Sequence, residues 1–278
     1  MELLLQIQAF LRHQARVNFT KIRFVATLIL MVLVGCNAPT GKNHYILAER
    51  LFSDHKYAAA VEEFKKIIES DPRSHLAQQS LFRIGVIQYL YLEQYQDAIK
   101  SFRQFAVVSQ NKDLVYQAEK SIGELYFTKL EDYRQSIEQY KRLLEKYPES
   151  KERDFFMLRM AKSHYGALEF DKAVQMYKDI AKQFPKSSWG PEALYQIGNT
   201  YYTKGDIDSA IETFQDVALL FPNTQQALFA QFGIGNCYEE RDKLDEALEI
   251  YSKILDKHPA RNVVEAKIRR LKERMSRK

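Results

Sequence analysis

A small residue recurs along most of the chain at intervals of 37 or 38 positions. Its six occurrences are Ala48, Gly85, Gly123, Ala161, Gly198 and Gly235. A second small residue, followed four positions later by an aromatic one, recurs with the same period. These pairs are Ala60 with Phe64, Ala98 with Phe102, Ser136 with Tyr140, Ala173 with Tyr177, Ala210 with Phe214 and Ala247 with Tyr251. Such self-similarity restricts the chain to a repeat architecture, in which each unit buries its apolar side against its neighbours.

Each unit has the pattern of two amphipathic helices, because apolar residues are spaced by three and four within each half of it. The small residue of the first helix lets the second helix approach closely, and the aromatic residue fills the space between them. Proline closes five of the six units, at Pro72, Pro148, Pro185, Pro222 and Pro259, and Gln110 takes its place in the second unit. Proline ends a helix because it lacks an amide donor and disfavours helix in the residue before it.

Two further features predict the connections between helices. Two residues after proline, a hydroxyl side chain is expected to cap the next helix, at Ser74, Ser150, Ser187 and Thr224. One extra residue in the internal turn of the second and third units is expected near Gln94 and Glu131.

The residues of the fifth unit resemble the tetratricopeptide repeat without a gap. They are Ile197, Gly198, Asn199, Tyr201, Gly205, Asp206, Ala210, Phe214 and Pro222. The resemblance covers residues 44–260 and implies an all-α fold, a right-handed superhelical solenoid of six helix pairs. Beyond Pro259, apolar residues at helical spacing predict one more helix within residues 261–278, which caps the last repeat.

The first 35 residues resemble a bacterial lipoprotein signal peptide. Basic residues precede an apolar run over 24–35, which is shorter than the roughly 20 residues of a transmembrane helix. The run ends in Leu33-Val34-Gly35-Cys36, which resembles a lipobox and implies cleavage before Cys36 and acylation of that cysteine. We therefore expect residues 36–43 to be a lipidated cysteine with a short linker. The alternative is a short buried helix that ends in a cysteine by chance.

Asn37, the residue after the predicted lipid site, indicates the outer membrane by analogy with enteric sorting rules. The expected location is therefore the periplasmic face of the outer membrane, with the lipid as the membrane anchor. The segment before the cleavage site is long for a signal, so either the true start codon lies further along or the signal is simply long. If Cys36 carries lipid, Cys237 has no disulfide partner and is expected to be inert packing.

Charge and motifs argue against nucleic acid, cofactors and catalysis. The formal net charge of +5 is concentrated at the ends, and residues 37–260 hold 29 bases against 33 acids. The six histidines are scattered, and no phosphate-binding loop or metal-ligand spacing occurs. The sequence therefore predicts no catalytic residue, no metal, no cofactor and no nucleic-acid partner. Residues 261–278 hold eight bases and two acids, which favours a solvated cap and leaves attraction to an anionic surface as the alternative.

First-helix residues that do not face their own repeat are predicted to line a concave groove. The aromatic members of this set are Tyr45, Phe52, Phe82, Tyr89, Phe127, Tyr165, Tyr195, Tyr202 and Phe232. Its polar members include Glu49, Glu124, Lys162, Asn199 and Asn236. Such a groove is expected to bind envelope proteins or extended peptides, with the aromatic rings as anchors. In the alternative, the rings pack against neighbouring first helices and leave no groove.

A lipobox followed by repeats with Pro-x-Ser turns resembles the BamD lipoproteins of the outer-membrane β-barrel assembly machine. The turns that carry the resemblance are Asp71-Pro72-Arg73-Ser74 and Tyr147-Pro148-Glu149-Ser150. The resemblance implies a non-catalytic periplasmic scaffold for outer-membrane protein assembly. One alternative is the Tol-Pal-associated cell-division coordinator, whose last repeats look like residues 184–198. The other is a lineage-specific lipoprotein adaptor, for instance in motility or surface assembly.

Overall fold

The computed structural model describes residues 41–184 and 187–277, and every regular element within these ranges is an α-helix. The all-α fold predicted from the repeats is therefore confirmed. No helix of the described residues combines the length and the apolar character needed to cross a membrane. The predicted signal peptide (1–35), the lipid site Cys36 and the helix-ending Pro185 lie outside the described residues.

The helices fall into two compact units, and the chain passes from the first to the second after Glu93. The first unit contains α1 (Gly41–Ser53), α2 (Tyr57–Ser70) and α3 (His75–Leu90). The second contains α4 (Tyr95–Val108), α5 (Lys112–Thr128), α6 (Tyr133–Lys146), α7 (Arg153–Gly166), α8 (Phe170–Gln183), α9 (Gly190–Lys204), α10 (Ile207–Leu220), α11 (Gln225–Glu240), α12 (Leu244–Ile254) and α13 (Arg261–Met275). Within each unit, every helix packs against the next one along the chain. Helix α1 begins inside the segment 36–43 that the sequence assigned to the linker.

In the first unit, α1 and α2 close around the small residues of the repeat pattern. Ala48 and Ala60 are fully buried, and the ring of Phe64 is buried in the same cluster. Ile84 of α3 contributes to this core from the next repeat. Burial of the small residues with their aromatic partner is the arrangement that the sequence predicts.

In the second unit, glycines of the first helices lie directly against the aromatic ring of the second helix. A methyl group added to Gly235 would come within 2.5 Å of a carbon of the Tyr251 ring. The corresponding distance at Gly198 is 2.6 Å to the ring of Phe214. Since ordinary carbon contacts are about 3.5–4.0 Å, these positions hold glycine because the ring needs the space.

Each of the six internal turns contains one residue in the left-handed region of φ. These residues are His55, Glu93, Glu131, Leu168, Gly205 and Asp242. In four turns the next amide closes the helix by bonding to the carbonyl five residues back, as Glu169 does to His164 at 2.9 Å. In the turns with Glu93 and Glu131, that bond forms before the left-handed residue, at Leu92 and at Leu130. The extra residue predicted near Gln94 and Glu131 therefore lengthens these two turns.

The connections between repeats confirm two of the predicted caps and correct two others. The hydroxyls of Ser74 and Thr224 accept the amides of Ala77 and Ala227, at 3.1 and 3.2 Å. Ser150 and Ser187 are not N-caps, because α7 and α9 begin only at Arg153 and Gly190.

The two serines instead join neighbouring repeats of the second unit. The Ser150 hydroxyl lies 2.9 Å from the hydroxyl of Tyr116, on α5. The Ser187 hydroxyl donates to Asp154 of α7 at 2.6 Å. A serine after proline is therefore not enough to predict where the next helix starts.

Helix α13 covers the last repeat, as predicted. Val264 and Leu271 are fully buried in a cluster with Tyr251 of α12, and Ile268 and Met275 pack against it. The opposite side of α13 is exposed to solvent.

Candidate functional site

The nine aromatic side chains predicted to line a groove all lie on first helices, and all nine are half-buried. Several rings pack against the aromatic residue of the following helix. Tyr45 lies edge-on to Phe64, with 5.4 Å between ring centroids. The centroid of Phe232 lies 5.3 Å from that of Tyr251. Intramolecular packing thus occupies much of the surface of these rings, and their role in binding stays a prediction.

In the first unit, an ion pair joins the first helices of neighbouring repeats. Arg83 of α3 donates two hydrogen bonds to Glu49 of α1, at 2.8 and 2.7 Å. Its guanidinium also lies 4.6 Å from the centroid of the Phe52 ring. We call this set of glutamate, phenylalanine and arginine the Glu–Phe–Arg clamp. Two of its members, Glu49 and Phe52, stand at positions that the sequence assigned to the groove.

The second unit repeats the clamp with the same residue types. Arg159 of α7 donates two hydrogen bonds of 2.9 Å to Glu124 of α5, and its guanidinium lies 4.7 Å from the centroid of Phe127. The centroid of a second ring, that of Phe155, lies 5.0 Å from the same guanidinium. The hydroxyl of Tyr140 donates to the same glutamate at 2.5 Å. Bidentate contacts between arginine and carboxylate combine charge with fixed geometry, so the clamp holds the two helices in register.

A different ion pair stands at the junction between α7 and α9. Lys162, one position after the small Ala161, donates to Glu192 at 2.6 Å. Burial alone would raise the pKa of Glu192, but the hydrogen bond and charge of Lys162 outweigh it, so the pKa lies below its ordinary value. The hydroxyl of Tyr165 lies 2.9 Å from that of Thr203. The predicted groove residue Tyr165 is thus engaged with the neighbouring repeat.

The junction between α9 and α11 lacks a clamp. Gly233 stands where the earlier junctions carry Arg83 and Arg159, counted from the small residue of the repeat. Asn199 and Asn236 stand where Glu49 and Glu124 stand.

The two asparagines at this junction keep part of their hydrogen-bonding capacity. Asn199 donates a long hydrogen bond of 3.4 Å to Gln196, and its side chain also hydrogen-bonds with the hydroxyl of Tyr195 on the same helix. Asn236 accepts from the Tyr251 hydroxyl at 2.7 Å, and within 41–184 and 187–277 its amide nitrogen has no hydrogen bond. Tyr202 is half-buried about one turn after Asn199 on α9, and burial raises the pKa of its hydroxyl. Within the described helices α9 and α11, these side chains thus lie at a junction that no ion pair crosses.

A polar cluster at α5 and the start of α7 was not predicted. Lys120 and Tyr116 both donate to Glu152, the residue before α7. Burial and the hydrogen bond to Glu152 raise the pKa of Tyr116 to about 12. The cluster depends on residues more than 30 positions apart, so no local signal in the sequence could have revealed it.

The described residues contain no group of three or more histidine, cysteine, aspartate or glutamate side chains arranged to hold a metal ion. Cys237 is completely buried on α11, and burial raises the pKa of its thiol to about 11. A thiol with this pKa is almost wholly protonated at neutral pH and is a poor nucleophile.

Sequence profiles of the tetratricopeptide repeat match residues 79–107, 121–150, 156–187 and 195–262. Together the matches span more than half of the 278 residues. The chain belongs to the tetratricopeptide-repeat family. It is therefore a tetratricopeptide scaffold of the kind that mediates protein–protein interaction. A search of curated proteins found no match.

Solved tetratricopeptide structures share the fold. One is a tetratricopeptide repeat protein from Parabacteroides merdae, with 16% identity and a TM-score of 0.56 over 84% of this chain and 87% of that one. Another is the C-terminal part of a repeat protein from Cytophaga hutchinsonii, with 20% identity and a TM-score of 0.54 over 76% and 78%. A third is PilW, a widely conserved type IV pilus biogenesis factor, with 15% identity and a TM-score of 0.52 over 81% and 97%. At these identities the likeness extends to the fold alone.

Proposed function

We propose that the chain is a non-catalytic lipoprotein scaffold of the bacterial envelope, and that it binds a segment of another protein along α9 and α11. The observation that carries this placement is Gly233, which replaces the arginine of the Glu–Phe–Arg clamp. Without an arginine across this junction, Asn199 and Tyr202 are not committed to an ion pair between repeats. They are the side chains with which a guest segment can compete most easily.

The chemistry of this junction suits a polypeptide guest. An asparagine side chain both donates and accepts, so Asn199 and Asn236 can pair with the backbone of an extended segment. Tyr202 offers a ring as an apolar anchor and a hydroxyl as a polar contact. Binding sites for peptides commonly combine such backbone hydrogen bonds with a few aromatic anchors.

The envelope location rests on the sequence before the repeats. The lipobox at residues 33–36 supports acylation of Cys36, and Asn37 supports the periplasmic face of the outer membrane. Acyl chains on one residue give a firm anchor, because each buried methylene adds roughly 0.8 kcal/mol. With the likeness to BamD lipoproteins, these features favour a role in the assembly of outer-membrane proteins.

Two other functions remain candidates. A Tol-Pal-associated role in cell division is favoured by the sequence over residues 184–198. An adaptor in surface assembly is favoured by the fold shared with PilW, a type IV pilus biogenesis factor.

Site-specific photo-crosslinking in the bacterium tests the placement and the pathway together. A photoreactive phenylalanine analogue replaces Tyr202, and a matched control replaces Leu219, which is 77% exposed on the second helix α10. We expect crosslinks at position 202 to a subunit of the barrel-assembly machine or to an outer-membrane protein, and few at position 219. Crosslinks confined to position 219 would refute the placement of the binding site at α9 and α11. Crosslinks to a Tol-Pal component would favour a role in cell division over a role in outer-membrane protein assembly.

A further inference from the structure

The basic residues of α13 divide into two groups. Lys267 and Arg274 turn toward the repeats and donate to Glu239 of α11, at 2.7 and 3.4 Å. Arg261 pairs with Asp256 and Glu265, at 3.1 and 2.8 Å. These three bases are neutralised within the protein.

The second group consists of exposed bases with no carboxylate partner. Arg269, Lys272 and Arg277 are exposed, and none forms an ion pair with any residue that the structure describes. Arg270 is also exposed and without an ion pair, although it lies close enough to Glu239 to lower the pKa of that carboxyl. The unpaired acid on this side of the helix is Glu273, so the surface keeps an excess of positive charge.

Two of these bases stand at the rim of a cleft with an apolar floor. The cleft has a volume of about 440 Å³. Its lining consists of Leu255, Glu265, Ile268, Arg269, Lys272, Glu273 and Ser276. Leu255 and Ile268 supply the apolar surface, and the carboxyl of Glu265 is already paired with Arg261. An apolar floor beside two free bases matches an amphiphile with a negatively charged head.

We propose that the exposed side of α13 binds anionic phospholipids at a membrane surface, with the lipid phosphate at Arg269 and Lys272. Arginine donates several hydrogen bonds in a plane that matches phosphate oxygens, and lysine adds a compact charge. The apolar glycerol and upper acyl region would lie against Leu255 and Ile268. This contact goes beyond the proposed scaffold function and does not require the lipid at Cys36.

A lipid surface accounts for the charge pattern better than a long polyanion does. Residues 37–260 carry more acids than bases, so a long polyanion that followed the repeats would be repelled. The free bases are confined to the last helix, whose outer side carries the small residues Asn262 and Ala266. Such a side can approach a flat surface closely.

A fluorescent label beside the cleft tests this proposal in the full chain. The variant carries Cys36→Ala, so its remaining native cysteine is Cys237, which is fully buried. A cysteine introduced by Ser276→Cys at the edge of the cleft carries a polarity-sensitive dye. We expect the emission to shift to the blue with vesicles of phosphatidylglycerol and phosphatidylcholine, and not to shift with vesicles of phosphatidylcholine alone. Salt at roughly 0.5 M should reverse the shift, because the Debye length is then a few Å. Arg269→Gln with Lys272→Gln should weaken the binding roughly twenty-five-fold, since each base near an anionic surface is worth about fivefold.

The matched control is Lys178→Gln with Lys182→Gln. These two exposed lysines line a cleft of about 550 Å³ in the same unit, beside Glu212 and Asp216. The control should change vesicle affinity less than twofold. No spectral change with anionic vesicles, or an equal change with neutral ones, would overturn the proposal. A change with soluble polyglutamate or glycerophosphate, but not with vesicles, would also overturn it, in favour of an acidic protein or a free phosphate ester.

Discussion

Leu168 stands in the turn between α7 and α8 with a φ of 62°, in the left-handed region. A residue with a Cβ atom pays about 1–2 kcal/mol for this conformation, whereas glycine adopts it freely. The Leu168 side chain is 73% exposed, so little packing compensates for the strain. The equivalent turn residue after α9 is Gly205, with a φ of 80°.

We therefore expect Leu168→Gly to stabilise the protein, in spite of the extra flexibility that glycine gives the unfolded chain. The expected gain in the free energy of unfolding is about 0.5–1 kcal/mol. Urea denaturation followed by circular dichroism would measure it. The control is Leu219→Gly, since Leu219 is 77% exposed but lies within helix α10, where glycine should cost up to about 1 kcal/mol. Destabilisation by both substitutions would contradict the conclusion that the left-handed conformation of Leu168 is strained.

At the scale of residues, the sequence could predict contacts that recur in every repeat. The match of Gly198 with Phe214 and of Gly235 with Tyr251 follows from spacing alone. The positions of Ser150 and Ser187 did not follow, because helix α7 and helix α9 start later than the earlier repeats suggest. Where a helix starts depends on contacts such as that of Ser187 with Asp154, which join residues 33 positions apart.

Between elements, the Glu–Phe–Arg clamp is the contact that the sequence did not predict. Glu49 and Phe52 have the spacing of groove residues, and nothing local shows that Arg83 reaches back to both of them. The side chains of Glu124 and Arg159 are 20% and 24% exposed, so water screens their pairing only in part. The clamp is therefore expected to contribute more to stability than an ion pair on the surface does.

Glu124→Gln should lower the free energy of unfolding by about 1–3 kcal/mol, because Arg159 keeps its charge beside two rings without a counter-charge. Equilibrium urea unfolding measures the change. For comparison, Glu62→Gln removes a carboxylate that is 64% exposed and paired with Lys65, and it should cost less than about 0.5 kcal/mol. Equal effects of the two substitutions would show that the clamp stabilises the protein no more than an ion pair on the surface does.

The pair of Lys162 with Glu192 predicts a loss of stability in acid. Because the folded protein lowers the pKa of Glu192, the unfolded chain binds its proton more readily. The stabilisation is complete above the ordinary carboxyl range, about pH 4–4.5, and is lost as the pH falls through the lowered pKa of the folded state. The urea midpoint should fall between pH 7 and pH 3.5, and less steeply in Lys162→Gln. If Lys162→Gln showed the same pH dependence as the unmodified protein, the pair of Lys162 with Glu192 would not be the cause of the loss of stability in acid.

At the scale of the whole molecule, the repeat count and the capping helix were predictable, because six periodic units leave few alternatives. The division after Glu93 was not, since the repeat spacing continues across it without a break. The candidate site at α9 and α11 was predicted only as part of a longer set. Asn199, Tyr202 and Asn236 could be separated from it only once the junctions α1–α3, α5–α7 and α7–α9 were seen to carry ion pairs.

Anchoring by lipid gives a prediction for the entire chain. Cys36→Ala should release the protein from the membrane fraction into a soluble form, while its helical circular dichroism is unchanged, because the described repeats do not include this residue. Fractionation should include a wash at high salt, which would remove a charge-dependent contact through α13 but not an acyl anchor. Retention of the variant after that wash would refute the lipid anchor.

The charges between first helices also limit how such an array can change in evolution. Arg159 finds a glutamate one position after the small residue of the preceding repeat, whereas Ala161 is followed at that position by Lys162. Arg159 and Lys162 belong to the same repeat. If a tandem duplication placed two copies of this repeat in a row, Lys162 of the first copy would face Arg159 of the second, and two cations would meet at the junction. Modules of this protein are thus alike in shape but not interchangeable in order, and a viable duplication or loss has to avoid like charges that face each other at a junction.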